Sequence, residues 1–578
     1  MKRFFILLSI LVISTGINAR HQDNNFRIGD LYYKITSEED RTCVVVGATL
    51  RISEFVIPSH VTIIGDEFTV IGINKYAFIS NHDITSISCP PTIRFIGDSA
   101  FYHCSRLKSI ELPDSLESIG EMCFSLSGIE SIKIPDKIRV IKKNTFFACS
   151  LKKVIFPEEL DSIESEAFYQ CGGLTDISPF PEGTIYIGER AFQMCPVNEI
   201  TLPESLKYIG ESAFEDCRIQ ELYIPKNVVY LGYKFVAPNI FSCLSAINVN
   251  PENDFYSSID GVLYDKQMTR LIVCPKMYEG NLTLPETITS IDDFCFYLCN
   301  NIESITFPKG LKSIGKYSFY YANVLSSLSL PENLESVGDH CFAYSSIPSI
   351  FISASISYLG KEAFSGNGFT EFICDEGNPN YATIDGLLYN KDLSELIAYP
   401  SLKPTETFVV PGHVKAICDF AFYCNWEKPS PLTTISFENG LEGMGIDNFH
   451  YFKNLTTVEL PASIKTIGRN SFYGCDNIQD VTIYATTPPS NAGHLPDSNR
   501  KLHVLPECVD LYKNRTPWSW FGRIIGDAVA GMEGIPLDLD YKDSQFFTID
   551  GKPAESMKSN RIMIRKSSLG QSEKIIVR

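Results

Sequence analysis

The chain has 578 residues and a formal net charge of -19, from 69 acidic against 50 basic side chains. That balance excludes a protein that tracks nucleic-acid phosphates and one held on anionic lipid by a basic patch. The length would ordinarily mean several globular domains, unless an internal period lets each unit complete its core on its neighbours.

Residues 1–19 (MKRFFILLSILVISTGINA) have a short basic start, an apolar run and a small-residue end. They read as a secretory signal peptide cut after Ala19, too short and wrongly flanked for a transmembrane helix. The first cysteine is Cys43, far from that site, which closes the lipoprotein route, and no later stretch is long and apolar enough to span a bilayer. Residues 20–54 are expected to form a cap of strands. Within them 26–47 alternates about a polar turn at 37–41.

From 55 to 485 one phrase recurs. Aligned on its aromatic residue it returns at Phe78, Phe101, Phe124, Phe146, Phe168, Phe192 and Phe214, then Phe296, Phe319, Phe342 and Phe364, then Phe422, Phe449 and Phe472, mostly in steps of 22 to 24 residues. Ile240 is read as the substitute anchor of the coil after Phe214. Such a period, with apolar residues at fixed offsets, predicts a leucine-rich-repeat type solenoid. In the coil of Phe101, the residues Ala100, Phe101, Cys104 and Leu107 enter the core. Ile110 and Leu112 alternate along a strand with Ser109 and Glu111 facing out. Pro113 ends that strand, Leu116 and Ile119 form the return side, and Gly120 turns the chain. The expected class is an α/β-type leucine-rich repeat solenoid, with short parallel strands and mostly irregular or 3-10 return segments, followed by a small all-β C-terminal domain.

All 18 cysteines lie beyond the leader, but their positions follow the period. Cys104, Cys149, Cys171, Cys195, Cys217, Cys243, Cys299 and Cys475 take one slot, three after the anchor. Cys123, Cys295 and Cys341 take another, just before it. Ala322, Ser345 and Asn367 also fill the first slot, so it is a small buried position and the thiols are expected free.

Two inserts, 250–275 and 378–400, match each other, each with Asp-Gly, an apolar pair and Tyr. Each reads as two short strands about a turn that still contributes a coil. The last strand phrase is 481–484. Residues 486–525 are expected to cap the solenoid with a strand, a helical turn and an aromatic plug. Residues 526–536 read as a linker and 537–578 as a small β module.

The combination of "AFxxC", a strand ending in "LP" and a return ending in "IG", as at Ala100–Cys104 with Ile110–Pro113 and Ile119–Gly120, and again at Ala213–Cys217 and Ser471–Cys475, resembles the BspA-type leucine-rich repeats of surface proteins of Bacteroidetes and other microbes. The "DGVLY" and "DGLLY" inserts, Asp260–Tyr264 and Asp385–Tyr389, look like the insert of that family. The closing Leu505-Pro506, Tyr512-Lys513 and Trp518 resemble its end segment. Thr548–Lys552, Ile562–Ile564 and Lys574–Val577 are similar to C-terminal sorting modules of the type IX secretion route, except that Asn560 and Arg561 stand where a glycine is usual. The resemblance implies a secreted or cell-surface protein of a Gram-negative outer envelope, in some relatives an adhesin for host or microbial proteins.

The candidate binding residues are the aromatics one after the anchors: Tyr102, Phe147, Tyr169, Tyr297, Tyr320, Tyr423 and Tyr473. Stacked coils would align them in a broken stripe suited to a glycan or an extended protein, or serving only to shield the turns. A second surface is the polar strand face, with Ser109, Glu111, Ser131, Lys133, Glu199, Thr201, Glu221, Tyr223, Ser304 and Thr306. Asp538, Asp540 and Asp543 lack the glycine of a calcium loop, and the histidines are scattered without HxxxH spacing. No nucleophile motif, phosphate loop or acid–base pair is present, so no cofactor, metal or enzymatic activity is expected. The function expected is binding or adhesion to an extracellular protein or glycan. The alternatives are an envelope scaffold without a discrete ligand, and capture of glycans or peptides for nutrition.

Overall fold

The computed structural model describes residues 25–236, 243–322, 328–345, 347–424 and 429–529, together with the backbone of strands Gln545–Thr548, Arg561–Lys566 and Ser572–Val577. The leader 1–19, Ile240, most of the 526–536 linker and the acidic run at 538–543 lie outside the described residues. The chain divides into two compact units, Met1–Tyr278 with Phe296–Asn301, and Glu279–Cys295 with Ile302–Arg578.

The first unit opens on an antiparallel meander of Phe26–Ile28, Leu31–Ser37 and Thr42–Ala48. Its last strand pairs in parallel with Asp66–Ile73, which also folds back on His60–Ile63. From there the coils build two parallel sheets. One holds the strands before the prolines, such as Ser131–Lys133, Lys153–Ile155 and Asp176–Ile177. The other is made by the return side, as Val140–Ile141, Ser162–Ile163, Tyr186–Ile187, Tyr208–Ile209 and Tyr230–Leu231.

That second sheet adds to the expected class. The return segments are largely turn and irregular backbone, as expected, but each also carries a two-residue strand in register with its neighbours, and among the described residues the solenoid has almost no helix. Apolar residues at most return positions, such as Ile141, Ile163, Ile187 and Ile209, are β-branched and point inward from adjacent rungs, with Leu231, Leu359 and Met444 as exceptions. In the coil of Phe101 the more regular strand is Ser118–Ile119, whereas Glu111 makes only an isolated bridge to Ser88.

Each anchor sits in a turn with a fixed hydrogen-bond code. Ser99, Phe101 and His103 donate their N–H to the carbonyls of Glu121, Cys123 and Ser125 in the next coil, at 2.8, 2.9 and 2.8 Å. The alternate N–H groups of Ala100, Tyr102 and Cys104 close local turns onto Gly97, Ser99 and Phe101. Two non-glycine residues per turn, here Ser99 (φ 54) and His103 (φ 58), hold left-handed backbone to make this alternation. The anchor side chains stack inward: Phe101 on Phe124 at 5.4 Å, Phe146 on Phe168 at 5.2 Å and Phe168 on Phe192 at 5.0 Å. Those spacings follow the ~4.8 Å rise of hydrogen-bonded strands.

The glycine before the turn has a different reason from the one expected. Gly120 and Gly210 have ordinary φ; a Cβ on Gly210 would lie 2.4 Å from Glu189 N and 2.5 Å from Gly188 C, so neighbouring backbones touch there. The cysteine slot is also more than a small hydrophobe. The thiols of Cys104, Cys171 and Cys195 donate to the carbonyls of Phe78, Phe146 and Phe168 in the preceding coil, at 3.1, 3.0 and 3.0 Å. Cys243 departs from the register and is exposed. Counting four from Gly232, the anchor of that coil is the buried Val236, with Phe235 in the usual alanine place, where Phe214 N meets Phe235 O at 2.8 Å.

The inserts have three strands each, not two. In the first unit Tyr256–Ile259, Val262–Asp265 and Arg270–Val273 form an antiparallel meander. In the second, Tyr381–Ile384, Leu387–Asn390 and Glu395–Ala398 do the same, and the last joins the return sheet beside Ala416–Ile417. Both hairpins turn on Asp-Gly with positive φ at both residues (49 and 78, 51 and 73), the geometry a two-residue hairpin requires.

In the second unit the sheet before the prolines runs through Thr407–Val410, Thr434–Phe437, Thr457–Leu460 and Asp480–Ile483. It does not stop at 484, since Lys501–Val504 and Arg523–Ile525 add two further rungs. Between them lie a short helix, Val509–Lys513, and a plug in which Trp518 is fully buried and donates Nε1–H to Pro489 O at 3.0 Å. Strands Gln545–Thr548, Arg561–Lys566 and Ser572–Val577 pair antiparallel.

Candidate functional site

The residue after each anchor leaves the core because the anchor itself points inward and the turn alternates. Six of the seven candidate aromatics are half-buried, and Tyr473 is 45% exposed. In the first unit Phe147 and Tyr169 pack ring to ring at 5.3 Å, and the Gln170 amide donates to the Tyr169 hydroxyl at 3.4 Å. Tyr102 packs on His103 at 6.3 Å, away from that pair. In the second unit Tyr320, Tyr423 and Tyr473 do not touch one another directly.

What joins them is His450, one after Phe449, and a set of rings mostly at the left-handed positions two before and two after the anchors. Phe294 stacks on Tyr317 at 4.9 Å and Tyr317 on His340 at 4.5 Å. Tyr320 meets Tyr317 at 5.4 Å and Tyr344 at 5.4 Å. Tyr344 then reaches Tyr423, with ring centroids 5.9 Å apart and hydroxyls 2.8 Å apart. His450 bridges Tyr423 at 5.2 Å to Tyr473 at 5.0 Å, and Tyr473 meets His494 at 5.4 Å. Burial holds the Tyr344 phenol well above its ordinary range and pulls the His340 and His450 imidazoles down.

The sequence reading missed Tyr317, Tyr321, Tyr344 and Tyr451 because it followed one offset from the anchor, and a second count at plus and minus two would have found them. His450, one after Phe449, stands at the offset that was followed and was missed because only Phe and Tyr were counted there. It also missed a ladder in the first unit: Tyr186, Tyr208 and Tyr230 stand in register on adjacent return strands, 36%, 43% and 52% exposed. The strand-face residues Ser109, Glu111, Ser131, Lys133, Glu199, Thr201, Glu221, Tyr223, Ser304 and Thr306 are all exposed.

Among the described residues no group of three or more His, Cys, Asp or Glu side chains is placed to hold a metal ion, and no helix is long and apolar enough to cross a membrane. The arrangement offers broad aromatic faces with hydroxyl and imidazole edges. Such a surface binds by contact and stacking.

The profile described as "BspA type Leucine rich repeat region (6 copies)" matches residues 47–175, 161–279, 277–380 and 398–492. No curated protein matches the chain. Among solved structures, a leucine rich cell surface protein from Faecalibacterium prausnitzii is 19% identical, over 81% of this chain and 96% of that one, with a TM-score of 0.40. The pneumococcal vaccine antigen PcpA is 16% identical over 87% and 99%, with a TM-score of 0.35. A leucine-rich repeat protein from Bacteroides ovatus is 19% identical over 86% and 100%, with a TM-score of 0.27. No reading of ligand or activity rests on likenesses of that degree. The repeat profile spans most of the chain, and the chain belongs to the BspA-type leucine-rich repeat family.

Proposed function

We propose that this protein is exported to the cell surface and binds an extracellular protein or glycan along the turn side of its coils. The observation that carries the reading is the band from Phe294 to His494 in the second unit, where half-exposed rings follow one another at 4.5 to 5.9 Å. Aromatic side chains give large contact area at low entropic cost, and they are over-represented where binding energy concentrates. Tyr102, Phe147 and Tyr169 belong to the same proposal as weaker contributors, since their rings form shorter runs, and Tyr297 joins it as a half-buried ring at the same offset.

The proposed organisation is a leader at 1–19, an N-terminal cap at 20–54, repeats at 55–485 and a C-terminal cap at 486–525. A linker at 526–536 joins these to a β module at 537–578, which would serve as a sorting domain. Export follows from the character of the leader, and no catalytic role is proposed.

The test is a binding screen of the purified chain against host matrix proteins and a glycan array. Saturable binding that falls at least about tenfold in the triple variant Tyr320→Ala, Tyr423→Ala, Tyr473→Ala supports the reading, provided the melting curve is kept. A full screen without a hit, with the chain self-associating in solution, favours the envelope scaffold. Rings that only shield the turns would lose stability on substitution and leave binding unchanged.

A further inference from the structure

Among the described residues of the second unit, the hydrogen-bond code of the turns is interrupted beside the insert. In each regular turn the anchor N–H, and the N–H two residues before it, meet carbonyls of the next coil, as Phe342 does with Ala363 at 2.8 Å and His340 with Lys361 at 2.9 Å. The next coil after Phe364 is the insert. It supplies Tyr399 to the core column, stacked on Phe422 at 4.6 Å, and Tyr399 N–H meets Ala421 O at 2.7 Å. It supplies no turn. Among the described residues nothing accepts from the N–H of Glu362 or Phe364, and nothing donates to the carbonyls of Asp419 and Tyr423. Those four groups are the ones a regular intervening turn would engage.

The gap is a small cleft open to solvent. One wall is the Gly360–Ser365 turn, the other the Asp419–Tyr423 turn, and Ala398 and Tyr399 form the floor. Tyr399 is 4% exposed and its hydroxyl has no hydrogen-bond partner. An unpaired phenol on a residue as buried as Tyr399, and an unpaired N–H on one as buried as Phe364, are uncommon in folded proteins. Acidic groups outnumber basic ones around the cleft, where Lys361 opposes the carboxylates at Glu362. Glu362 and Asp419 stand on opposite walls, and Asp339 and Asp447 add to the field at Glu362. Asp339 is matched by Lys316 at 2.9 Å, and His340 Nδ1 lies 3.2 Å from Glu362 Oε2. Asp419 already holds Ile446 N–H at 2.9 Å, which fixes one carboxylate oxygen and leaves the other to the cleft.

We propose that this cleft binds a short extended peptide segment carrying a lysine or arginine, which takes the place of the missing turn. Its carbonyls would accept from Glu362 and Phe364 N–H, and its N–H groups would donate to Asp419 and Tyr423 carbonyls. Its cationic side chain would pair with Glu362 and Asp419. Main-chain pairing supplies affinity and one side-chain contact supplies selection, as in strand addition to a sheet edge. The cleft adjoins the aromatic band at Tyr423 and His340, and the variants used to test it leave both residues untouched.

Hydrogen exchange on the intact chain tests the vacancy first. The Glu362 and Phe364 amides should exchange at least about a hundredfold faster than those of His340 and Phe342; equal protection means the cleft is closed in solution and overturns the proposal. The second arm pans a random hexapeptide library on wild type and on Glu362→Gln. Peptides retained by wild type should carry Lys or Arg at one position, should bind Glu362→Gln about tenfold or more weakly, and should slow exchange at Glu362 and Phe364. N-methylation of the amides flanking the basic residue should abolish binding. A retained pool without basic residues, or one bound equally by both proteins and by N-methylated forms, overturns it, as does an empty pool. Thermal unfolding of Glu362→Gln verifies that its loss of binding is not loss of fold. Failure of the aromatic triple variant to alter ligand capture would leave these outcomes unchanged.

Discussion

Removing one ring from the core column is the sharpest test of how this solenoid is held together. Phe168 is fully buried, stacked between Phe146 at 5.2 Å and Phe192 at 5.0 Å, with Phe156 edge-on at 6.2 Å. Phe168→Ala leaves a void that the rungs on either side cannot close, because their backbones are fixed by ladder hydrogen bonds. Phe-to-Ala changes in cores cost ~3–5 kcal/mol, and each lost ring pair carries ~0.5–1.5 kcal/mol beyond its area. About 5 kcal/mol is therefore expected. Each coil touches only its neighbours, so the damage should be local. Urea unfolding followed by circular dichroism gives the total, and hydrogen exchange gives its distribution. The Phe146 and Phe168 amides, bonded to Ala167 and Ala191 carbonyls, should lose protection while those of Phe78 and Phe101 keep theirs. A loss below about 2 kcal/mol, or one spread evenly along the unit, would refute the nearest-neighbour account.

Gly210→Ala should cost about 3 kcal/mol or more in urea unfolding, since its Cβ meets fixed backbone at 2.4 Å, whereas Gly172→Ala, with open space around it, should be neutral or slightly stabilising. Cys171→Ser keeps a donor to Phe146 O and should retain more stability than Cys171→Val, by about 1 kcal/mol in the same assay. Glu362 is pushed up to about 7, first by burial and then by Asp419, Asp447 and Asp339. The folded chain thus holds that proton more tightly than the unfolded one, so stability should fall as pH rises from the ordinary carboxylate range, about 4.3, to about 7, and then level off. Thermal unfolding across that window should show the slope in wild type and a weaker one in Glu362→Gln; identical slopes would remove Glu362 as its source.

Much of this molecule could be read from its residues. A phenylalanine every 22 to 24 positions, each with small residues before and after it, specifies a stack, because one coil cannot bury such a face alone and its neighbours can. The Asp-Gly pairs marked the hairpins, and Trp518 marked the plug. Periodicity is blind to hydrogen bonding between residues far apart, and there the tertiary structure decided. It made the return segments a second sheet, gave Gly210 its place through backbone contact, and moved the anchor from Ile240 to Val236, leaving Cys243 at the surface. The site divides in the same way. One offset from the anchor located Tyr320, Tyr423 and Tyr473, but only stacking of successive coils shows that Tyr344 and His450 join them. The vacant rung between Phe364 and Phe422 depends on a turn that is missing. A missing turn leaves no residue to read, only donors and acceptors in space with nothing between them.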